Sequence, residues 1–234
     1  MSPVALITGG SAGLGRALAE TLARDGWRVV VDGRDPDRLA ALVDPGVVRI
    51  VGDITSEDHR GALEVAVEDE GRLDLLVHNA SLLGPHAHPT WLPPLADVTT
   101  GDLHEVWSTN VAAPLALTTS LLPVLEASHG VLLSVSSDAA VEHYPGWGVY
   151  GATKAALDHL TLTVAAEHPA VSAYAVDPGD MRTRMHQDAF PGEDISDRPL
   201  PQSVVPHLLA LLETRPPSGR YRAADIAVRA TVGG

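Results

Sequence analysis

Three glycines near the start of the chain have a spacing that could bind phosphate. Gly9, Gly13 and Gly15 follow the apolar run 4–7 and precede a helical pattern, so they occupy a strand-to-helix turn. Bare N–H groups at the start of a helix can bind a pyrophosphate, and side chains there would hold the backbone away from it. The pattern TGxxxGxG differs from the dinucleotide fingerprint GxGxxG and from the P-loop. A tight turn without a ligand would use the same glycines, so both interpretations stay open.

Tyr150 and Lys154 form a second group that could do chemistry. They are four residues apart in a helical pattern, so their side chains share one helix face. An isolated pair of this kind is common and identifies no reaction by itself. Two serines, Ser136 and Ser137, end the apolar run 131–135 shortly before this helix.

Asn110 lies in a long helical pattern over 102–126 that Pro114 interrupts. A proline removes the N–H that would bond the carbonyl four residues back, and that carbonyl belongs to Asn110. The sequence therefore predicts a freed carbonyl at a buried kink, where a water could be held. A kink that serves only packing is the alternative.

Polar residues also follow the second, third and fourth apolar runs. Asp32 could accept from ribose hydroxyls and would repel a 2′-phosphate, whereas Arg34 would attract one or serve only as a surface cation. Asp53 could contact an adenine amino group or cap the next helix. Asn79 could approach a ribose or merely end its strand.

Short apolar runs and helical patterns alternate along the chain, which predicts βαβ units and a parallel sheet. The segment 180–201 is polar and holds three prolines, and we expect it to form a mobile flap over the strand ends. The predicted strands are 4–7, 29–31, 47–51, 73–77, 131–135, 171–176 and 219–224, and the predicted helices include 36–42, 102–126 and 202–212.

Composition narrows the classes of function. The 234 residues, 45% of them hydrophobic, suit one domain over 1–234 with a complete core. The net charge of -14 argues against nucleic acid and against an anionic membrane surface. The chain has no cysteine, which excludes disulfides, a thiol nucleophile and Cys-ligated metals. No apolar run reaches about 18 residues, and the first strand leaves no room for a signal peptide, so we expect a soluble cytoplasmic protein.

His86 and His88 lie two residues apart in a proline-containing loop, a spacing that superficially suggests a metal. Other ligands in register are missing, so we expect solvated loop histidines and no metal.

Taken together, these motifs resemble the short-chain dehydrogenase/reductase family across essentially the whole chain. Ser137 precedes Tyr150 by 13 residues, the usual spacing in the family, which selects Ser137 over Ser136. The matching motifs are Thr8-Gly9-x-x-x-Gly13-x-Gly15, Asp53, Asn79-Ala80, Asn110, Ser137, Tyr150-x-x-x-Lys154 and Pro178-Gly179.

The resemblance implies an α/β fold, a Rossmann-like doubly wound parallel sheet in three α/β/α layers. It implies about seven strands in the order 3-2-1-4-5-6-7 and a nicotinamide cofactor across their carboxyl ends. It also implies a homo-oligomer, a tetramer or a dimer. The implied cofactor-binding residues are Gly9, Ser11, Gly13, Leu14, Gly15, Arg34, Asp53, Ile54, Asn79, Ala80, Tyr150, Lys154, Pro178, Gly179 and Thr183.

The resemblance gives each of four residues a catalytic role. Tyr150 would donate a proton to a carbonyl oxygen or remove one from an alcohol. A free tyrosine titrates near ~10, and the Lys154 cation, aided by the oxidised nicotinamide, would favour its phenolate. Ser137 would hydrogen-bond the substrate oxygen, and Asn110 would hold a water that links Lys154 to solvent.

Two departures from the family pattern bear on the cofactor. The family's Asn-Asn-Ala-Gly is His78-Asn79-Ala80-Ser81 here, which narrows the space beside the nicotinamide ribose. Ala12 replaces the basic residue that many members place before the second glycine. The acid of NAD-preferring members falls on Gly33, and Arg34 stands where NADP-preferring members place a cation, so NADP is favoured over NAD.

The residues expected around the substrate are mostly apolar or aromatic. Tyr144, Trp147, Met185 and Phe190 favour a small, mostly apolar carbonyl or alcohol. His143 and His186 could bind a polar end of such a compound or face solvent.

Two other functions fit the same fold. A non-enzymatic dinucleotide-sensing or scaffold protein would tolerate loss of Tyr150 or Lys154, and both are present. An epimerase or dehydratase would usually carry a larger C-terminal substrate domain. We therefore expect an NAD(P)-dependent oxidoreductase.

Overall fold

The computed structural model describes residues 2–86 and 90–228. Within them, seven strands form one parallel sheet: β1 (Val4–Ile7), β2 (Arg28–Gly33), β3 (Val47–Val51), β4 (Leu75–His78), β5 (Val131–Val135), β6 (Ser172–Asp177) and β7 (Gly219–Arg222). Their order in the sheet is β3-β2-β1-β4-β5-β6-β7, as the family resemblance implies.

Helices cover both faces of the sheet, because successive side chains of a strand point to opposite faces. The helices are α1 (Gly13–Arg24), α2 (Pro36–Ala40), α3 (Glu57–Glu70), α4 (Thr100–Trp107), α5 (Ala113–Ala127), α6 (Gly148–Glu167), α7 (Arg184–Ala189) and α8 (Val205–Thr214). Ala5 and Ile7 of β1 pack with α1, α2 and α8, whereas Val4 and Leu6 pack with α3, α5 and α6.

The strand register brings the carboxyl ends of the strands to one edge. Ile7 of β1 aligns with Val31 of β2 and with Val77 of β4. His78 aligns with Ser134 of β5. The loops that follow these strands therefore meet above a single edge, where ligands of open α/β sheets bind.

The predicted interruption before Pro114 is a π-helical turn, Ser108–Ala112, between α4 and α5. The resulting helical stretch Thr100–Ala127 is long and apolar enough to cross a membrane by length and composition, although 44% of its most apolar window is buried in the protein. This differs from the expectation that no stretch reaches that length. It is weak evidence for membrane contact, because core helices of soluble proteins meet the same criterion.

The polar segment 180–201 is more ordered than the expected loop. It contains α7, whose first turn is capped by the Thr183 hydroxyl accepting from the His186 N–H at 3.2 Å. The six residues of α7 show little apolar periodicity, so the sequence does not predict a helix there. The Thr183 side chain stabilises the start of this short helix by capping it.

Candidate active site

The glycine turn is packed against the end of β4. Gly9 has a φ of +66°, and a Cβ there would lie 2.9 Å from the Cα of Ala80. A Cβ at Gly15 would lie 2.7 Å from the Gly9 carbonyl oxygen. The Asn79 amide donates to the carbonyls of Thr8 and Gly9 at 2.9 and 3.0 Å. These glycines are therefore needed for the turn itself, and Asn79 ties it to β4.

The start of α1 remains open to a ligand. Its N-cap residue, Ala12, makes no side-chain capping bond, so the first N–H groups of the helix have no side-chain partner. A Cβ on Gly13 would meet only Thr183 Cγ2, at 3.7 Å. An exposed helix N-terminus of this kind can bind a pyrophosphate.

The Asp32 carboxylate points into the protein and is 2% exposed. One oxygen accepts the Gly9 N–H at 2.6 Å, and the other lies 3.0 Å from Nε2 of buried His59 on α3. A Cβ at Gly52 would overlap the His59 ring, so that glycine makes room for the pair. This geometry does not support Asp32 as a ribose ligand. The sequence pattern gave no sign of His59 as its partner.

Arg34 is exposed. The residue before it is Gly33, so no carboxylate stands where NAD-preferring members of the family carry their acid. Its Nη1 lies 3.9 Å from Asp53, with 65% of the side chain exposed. Gly33 brings the β2 end close to Ser11, whose Oγ would be 2.7 Å from a Cβ there. Asp53 accepts from the Thr55 N–H and hydroxyl at 2.9 and 2.7 Å. Burial opposes ionisation of Asp53, but Thr55 and Arg34 outweigh it and lower its pKa.

One cavity of about 790 Å³ connects the glycine turn to the helix that carries Tyr150 and Lys154. Every predicted cofactor-binding residue lines it except Gly15, which packs behind the turn. The volume, the bare glycine backbone and the open N-terminus of α1 fit a dinucleotide.

Tyr150 and Lys154 lie on the inward face of α6. The Lys154 ammonium donates to the Val135 carbonyl at 2.8 Å and lies 5.5 Å from the centre of the Tyr150 ring. Lys154 is 2% exposed, and it is the only lysine in the sequence. Burial lowers the pKa of Lys154 to about 8, while Asp158 opposes that shift.

Burial adds an effect on Tyr150 that its spacing to Lys154 does not show. It raises the pKa of Tyr150 well above the value of a free tyrosine, and so opposes the stabilisation of the phenolate that is expected from Lys154 and the oxidised nicotinamide. Hydrogen bonding with Ser81 and Ser137 offsets the rise only in part. The protein without its cofactor therefore holds Tyr150 in the protonated form.

Ser137 and Ser136 face different partners. The Ser137 hydroxyl donates to Asp138 at 3.1 Å and lies on the cavity wall. The Ser136 hydroxyl donates to Asp158 at 2.7 Å and is buried. Ser136 also lines the cavity, so the two serines differ in their partners, and the selection of Ser137 from its spacing to Tyr150 stays a prediction.

Asn110 is fully buried within the π-helical turn. Its Oδ1 accepts the Leu82 N–H at 2.7 Å, and its Nδ2 donates to the Leu82 carbonyl at 2.8 Å and to Thr153 at 3.0 Å. The Asn110 side chain thus joins the segment after β4 to α6. The interruption predicted from Pro114 is present in the backbone around Asn110, as the π-helical turn.

Some expected substrate residues line the cavity and others do not. Trp147, Met185 and His186 line it. Phe190 lies behind them, with its ring 6.1 Å from Trp147 and 4.9 Å from His186. Outside the cavity lining, Tyr144 donates to Asp138 at 2.9 Å. His143 also falls outside that lining, and His88 lies outside the described residues.

Several polar residues at the site escape sequence reasoning. His78 replaces an asparagine of the family motif; its Nε2 lies 2.6 Å from the Thr118 hydroxyl, and burial lowers its pKa to about 3. Asp158 and Arg220 form an ion pair at 3.0 Å between α6 and β7. The signals in the sequence were the departure of His78 from the family motif and the i, i+4 spacing of Lys154 and Asp158, and neither indicates the partner of these residues.

Comparisons with known proteins identify the family. Residues 3–194 match the family model for short chain dehydrogenases. Serine 3-dehydrogenase of Agrobacterium fabrum is 34% identical over 189 residues, which are 78% of this chain and 74% of the relative. Benzil reductase ((S)-benzoin forming) of Saccharomyces cerevisiae is 32% identical over 221 residues, 89% of this chain and 81% of the relative.

A similar solved structure contains the cofactor. A short chain dehydrogenase of Shigella flexneri complexed with NADP has a TM-score of 0.86 and 28% identity, covering 95% of this chain and 97% of its own. The chain therefore belongs to the short-chain dehydrogenase/reductase family and is an NAD(P)-dependent oxidoreductase that acts on CH–OH and C=O groups.

Proposed function

We propose that this protein is an NADPH-preferring carbonyl reductase for small, mostly apolar substrates, with Tyr150 as general acid. The observation that carries the proposal is one continuous cavity that is lined both by Arg34 and the glycine turn and by Ser137, Tyr150 and Lys154. The same residues serve alcohol oxidation in the reverse direction.

The residues of the chain divide the proton chemistry among them. The bound nicotinamide supplies or accepts the hydride. The Ser137 hydroxyl orients the substrate oxygen, and Tyr150 donates its phenolic proton to that oxygen. Lys154 restores the proton and stabilises the phenolate by its charge, which an ammonium with a pKa of about 8 carries at neutral pH. Asn110 and the kinked backbone around it hold the water that connects Lys154 to solvent.

NADPH preference follows from the charges near the end of β2. Arg34 is exposed and its contact with Asp53 is long, at 3.9 Å, so its side chain can turn to a 2′-phosphate, and Arg38 lines the same cavity. Gly33 offers no carboxylate to a ribose, and the Asp32 carboxylate is engaged by Gly9 and His59. The NADP complex of the similar Shigella flexneri structure supports this assignment.

The apolar substrate class follows from the side chains around Tyr150. Leu83, Trp147 and Met185 pack around its ring, and Trp147 meets it edge-on at 5.7 Å. The similarity to benzil reductase supports an apolar carbonyl substrate. Segment 180–201 carries Met185 into this wall, and we propose that it covers the bound substrate as a flap.

The test is titration with NADPH and NADH, followed by NADPH oxidation with a panel of aldehydes and ketones that includes benzil. Tighter NADPH binding and turnover of apolar carbonyls are expected. Cofactor binding without turnover would favour the dinucleotide-sensing or scaffold alternative, and turnover without net cofactor oxidation would favour an epimerase or dehydratase.

The single domain over 1–234, the homo-oligomer and the cytoplasmic location remain predictions. Light scattering that shows only a 24.5 kDa species would contradict the homo-oligomer.

A further inference from the structure

One guanidinium joins the segment of Ser137 to the helix of Lys154. Arg220 on β7 places its Nε 3.0 Å from Asp158 Oδ2 on α6. Its Nη2 donates to the Ser137 main-chain carbonyl at 2.8 Å. Arginine holds such a geometry well, because its planar fork fixes two directions at once. The relative placement of Ser137 and α6 thus depends on a residue 83 positions along the chain from Ser137.

Asp158 accepts hydrogen bonds from two of the side chains in this arrangement. It is 7% exposed, and the same Oδ2 that contacts Arg220 also accepts from the Ser136 hydroxyl at 2.7 Å. Burial raises the pKa of Asp158, and the hydrogen bonds from Ser136 and Arg220 oppose that rise. A buried carboxylate is costly unless it is paired, so Arg220 is what allows the charge to remain.

Asp158 also lies one helical turn after Lys154. The groups that act on Lys154 come from several elements: His78 from β4, the Val135 carbonyl from β5, and Tyr150 and Asp158 from α6. Behind Asp158, Arg220 of β7 lies 3.9 Å from Asp177 of β6. Among these groups, Asp158 is the anion that opposes the effect of burial on Lys154.

We propose that Arg220 and Asp158 are positioning residues for the reaction: Arg220 fixes the Ser137 main chain against α6, and Asp158 provides the counter-charge that keeps Lys154 protonated. The inference rests on the proposed function, because it assumes that Ser137 and Lys154 serve the reduction. The effect of Asp158 on the ionisation of Lys154 can be measured without enzymatic turnover.

Lys154 can be observed alone because it is the only lysine in the chain. Protein grown with [ε-¹³C]lysine gives one side-chain Cε resonance, and its chemical shift against pH reports ionisation of Lys154 directly. We expect a midpoint near pH 8 in the wild type. Asp158→Asn removes the counter-charge of Lys154 while Arg220 keeps its contacts with the Ser137 carbonyl and Asp177, so the midpoint should fall by about one pH unit. An unchanged midpoint in Asp158→Asn would overturn the electrostatic role.

A matched control comes from another ion pair. Arg28 contacts Glu70 through Nε and Nη2 at 3.0 and 2.9 Å and donates to the Pro45 carbonyl at 3.1 Å. Arg28→Gln therefore removes a similar set of bonds far from Lys154. It should leave the Lys154 midpoint and the pH profile of kcat unchanged. A Lys154 shift equal to that in Asp158→Asn would show a general effect of lost ion pairs and would overturn the proposal.

The positioning part is tested by kinetics on the folded protein with NADPH and the best panel substrate. Arg220→Gln should lower kcat by about tenfold to a hundredfold through misplacement of Ser137, with the NADPH Kd unchanged. Arg220→Lys keeps the positive charge but lacks the planar guanidinium. It should therefore retain the alkaline limb of the wild-type pH profile, with a kcat between those of Arg220→Gln and the wild type. If Arg220→Gln does not fold, Arg220→Lys still provides the kinetic test. Wild-type kcat in either variant would overturn this role, whereas failure of the wild type on every substrate would contradict the proposed function and leave the Lys154 titration valid.

Discussion

The Asp32 carboxylate accepts the backbone N–H of Gly9 at 2.6 Å and thereby anchors the glycine turn to the end of β2. Replacing Asp32 by Ala removes the acceptor of that N–H and the partner of His59. We expect about 2 kcal/mol lower free energy of unfolding, because a buried donor loses its partner. NADPH affinity should also fall, since the turn loses its anchor.

Chemical denaturation and calorimetric titration measure the two effects. Asp32→Asn is the matched variant, because an amide oxygen can still accept the Gly9 N–H while the charge is lost. It should retain most of the NADPH affinity. Equal affinity in Asp32→Ala and the wild type would contradict the anchoring role.

Much of the fold could be predicted because parallel strands are buried on both faces. Apolar runs such as 47–51 and 131–135 coincide with β3 and β5, and the turn signals between them set the element order. Boundaries differ where polar residues extend a strand: β2 reaches Gly33 because Asp32 finds buried partners. The helix α7 escaped prediction because six residues give almost no periodicity.

Most of the predicted site residues line one cavity, because the parallel order brings the strand ends together beside the start of α6, whereas Asn110 and Gly15 lie outside its lining. The partners that hold them did not follow from the sequence. His59 and Arg220 lie 27 and 62 positions from the carboxylates they contact, and no short motif relates such pairs. The burial that raises the pKa of Tyr150 also did not follow from the sequence, because local spacing shows the nearby cation but not the depth of burial.

Tyr150→Phe should abolish carbonyl reduction while the NADPH Kd stays within about threefold. The phenolic proton is lost, and general acid catalysis contributes about 10²–10⁴ in rate. Stopped-flow or steady-state NADPH oxidation gives the rate, and fluorescence gives the Kd. Tyr221→Phe, which removes a hydroxyl bonded to the Pro217 carbonyl, is the control and should behave as wild type. Reduction at the wild-type rate by Tyr150→Phe would exclude it as the proton donor.

Arg34→Gln should weaken NADPH binding about tenfold or more and leave NADH binding nearly unchanged. A charge-assisted hydrogen bond to a phosphate contributes about 1.5–3 kcal/mol, and 1.4 kcal/mol corresponds to a factor of ten. Calorimetric titration with both cofactors gives the ratio. Arg24→Gln, at the exposed end of α1, should keep the wild-type ratio. A ratio unaffected by Arg34→Gln would assign cofactor choice to other residues.

His78 should make the protein sensitive to mild acid. Burial lowers its pKa to about 3, below the ordinary value of 6.5. As the pH falls below 6.5, the unfolded chain binds this proton and the folded chain does not, so stability present above pH 6.5 is lost progressively toward pH 3. The expected loss from His78 between pH 7.5 and pH 5 is about 2 kcal/mol.

Urea unfolding at the two pH values measures this loss. His78→Asn restores the residue usual in the family motif and should reduce the acid-induced loss by that amount. His159→Asn, on the exposed side of α6, should leave it unchanged. Identical acid sensitivity in His78→Asn and the wild type would place the effect elsewhere.

The burial of Lys154 also determines how the protein reacts with amine reagents. Because the chain has one lysine and that lysine is 2% exposed, the surface presents arginine as its basic side chain and offers no lysine amine for attachment. Glutaraldehyde and succinimidyl esters therefore find no lysine through which to join neighbouring molecules or fix the protein to a resin. A small reagent that enters the cavity would instead modify one side-chain amine per chain, that of Lys154, and would thereby inhibit the proposed reaction.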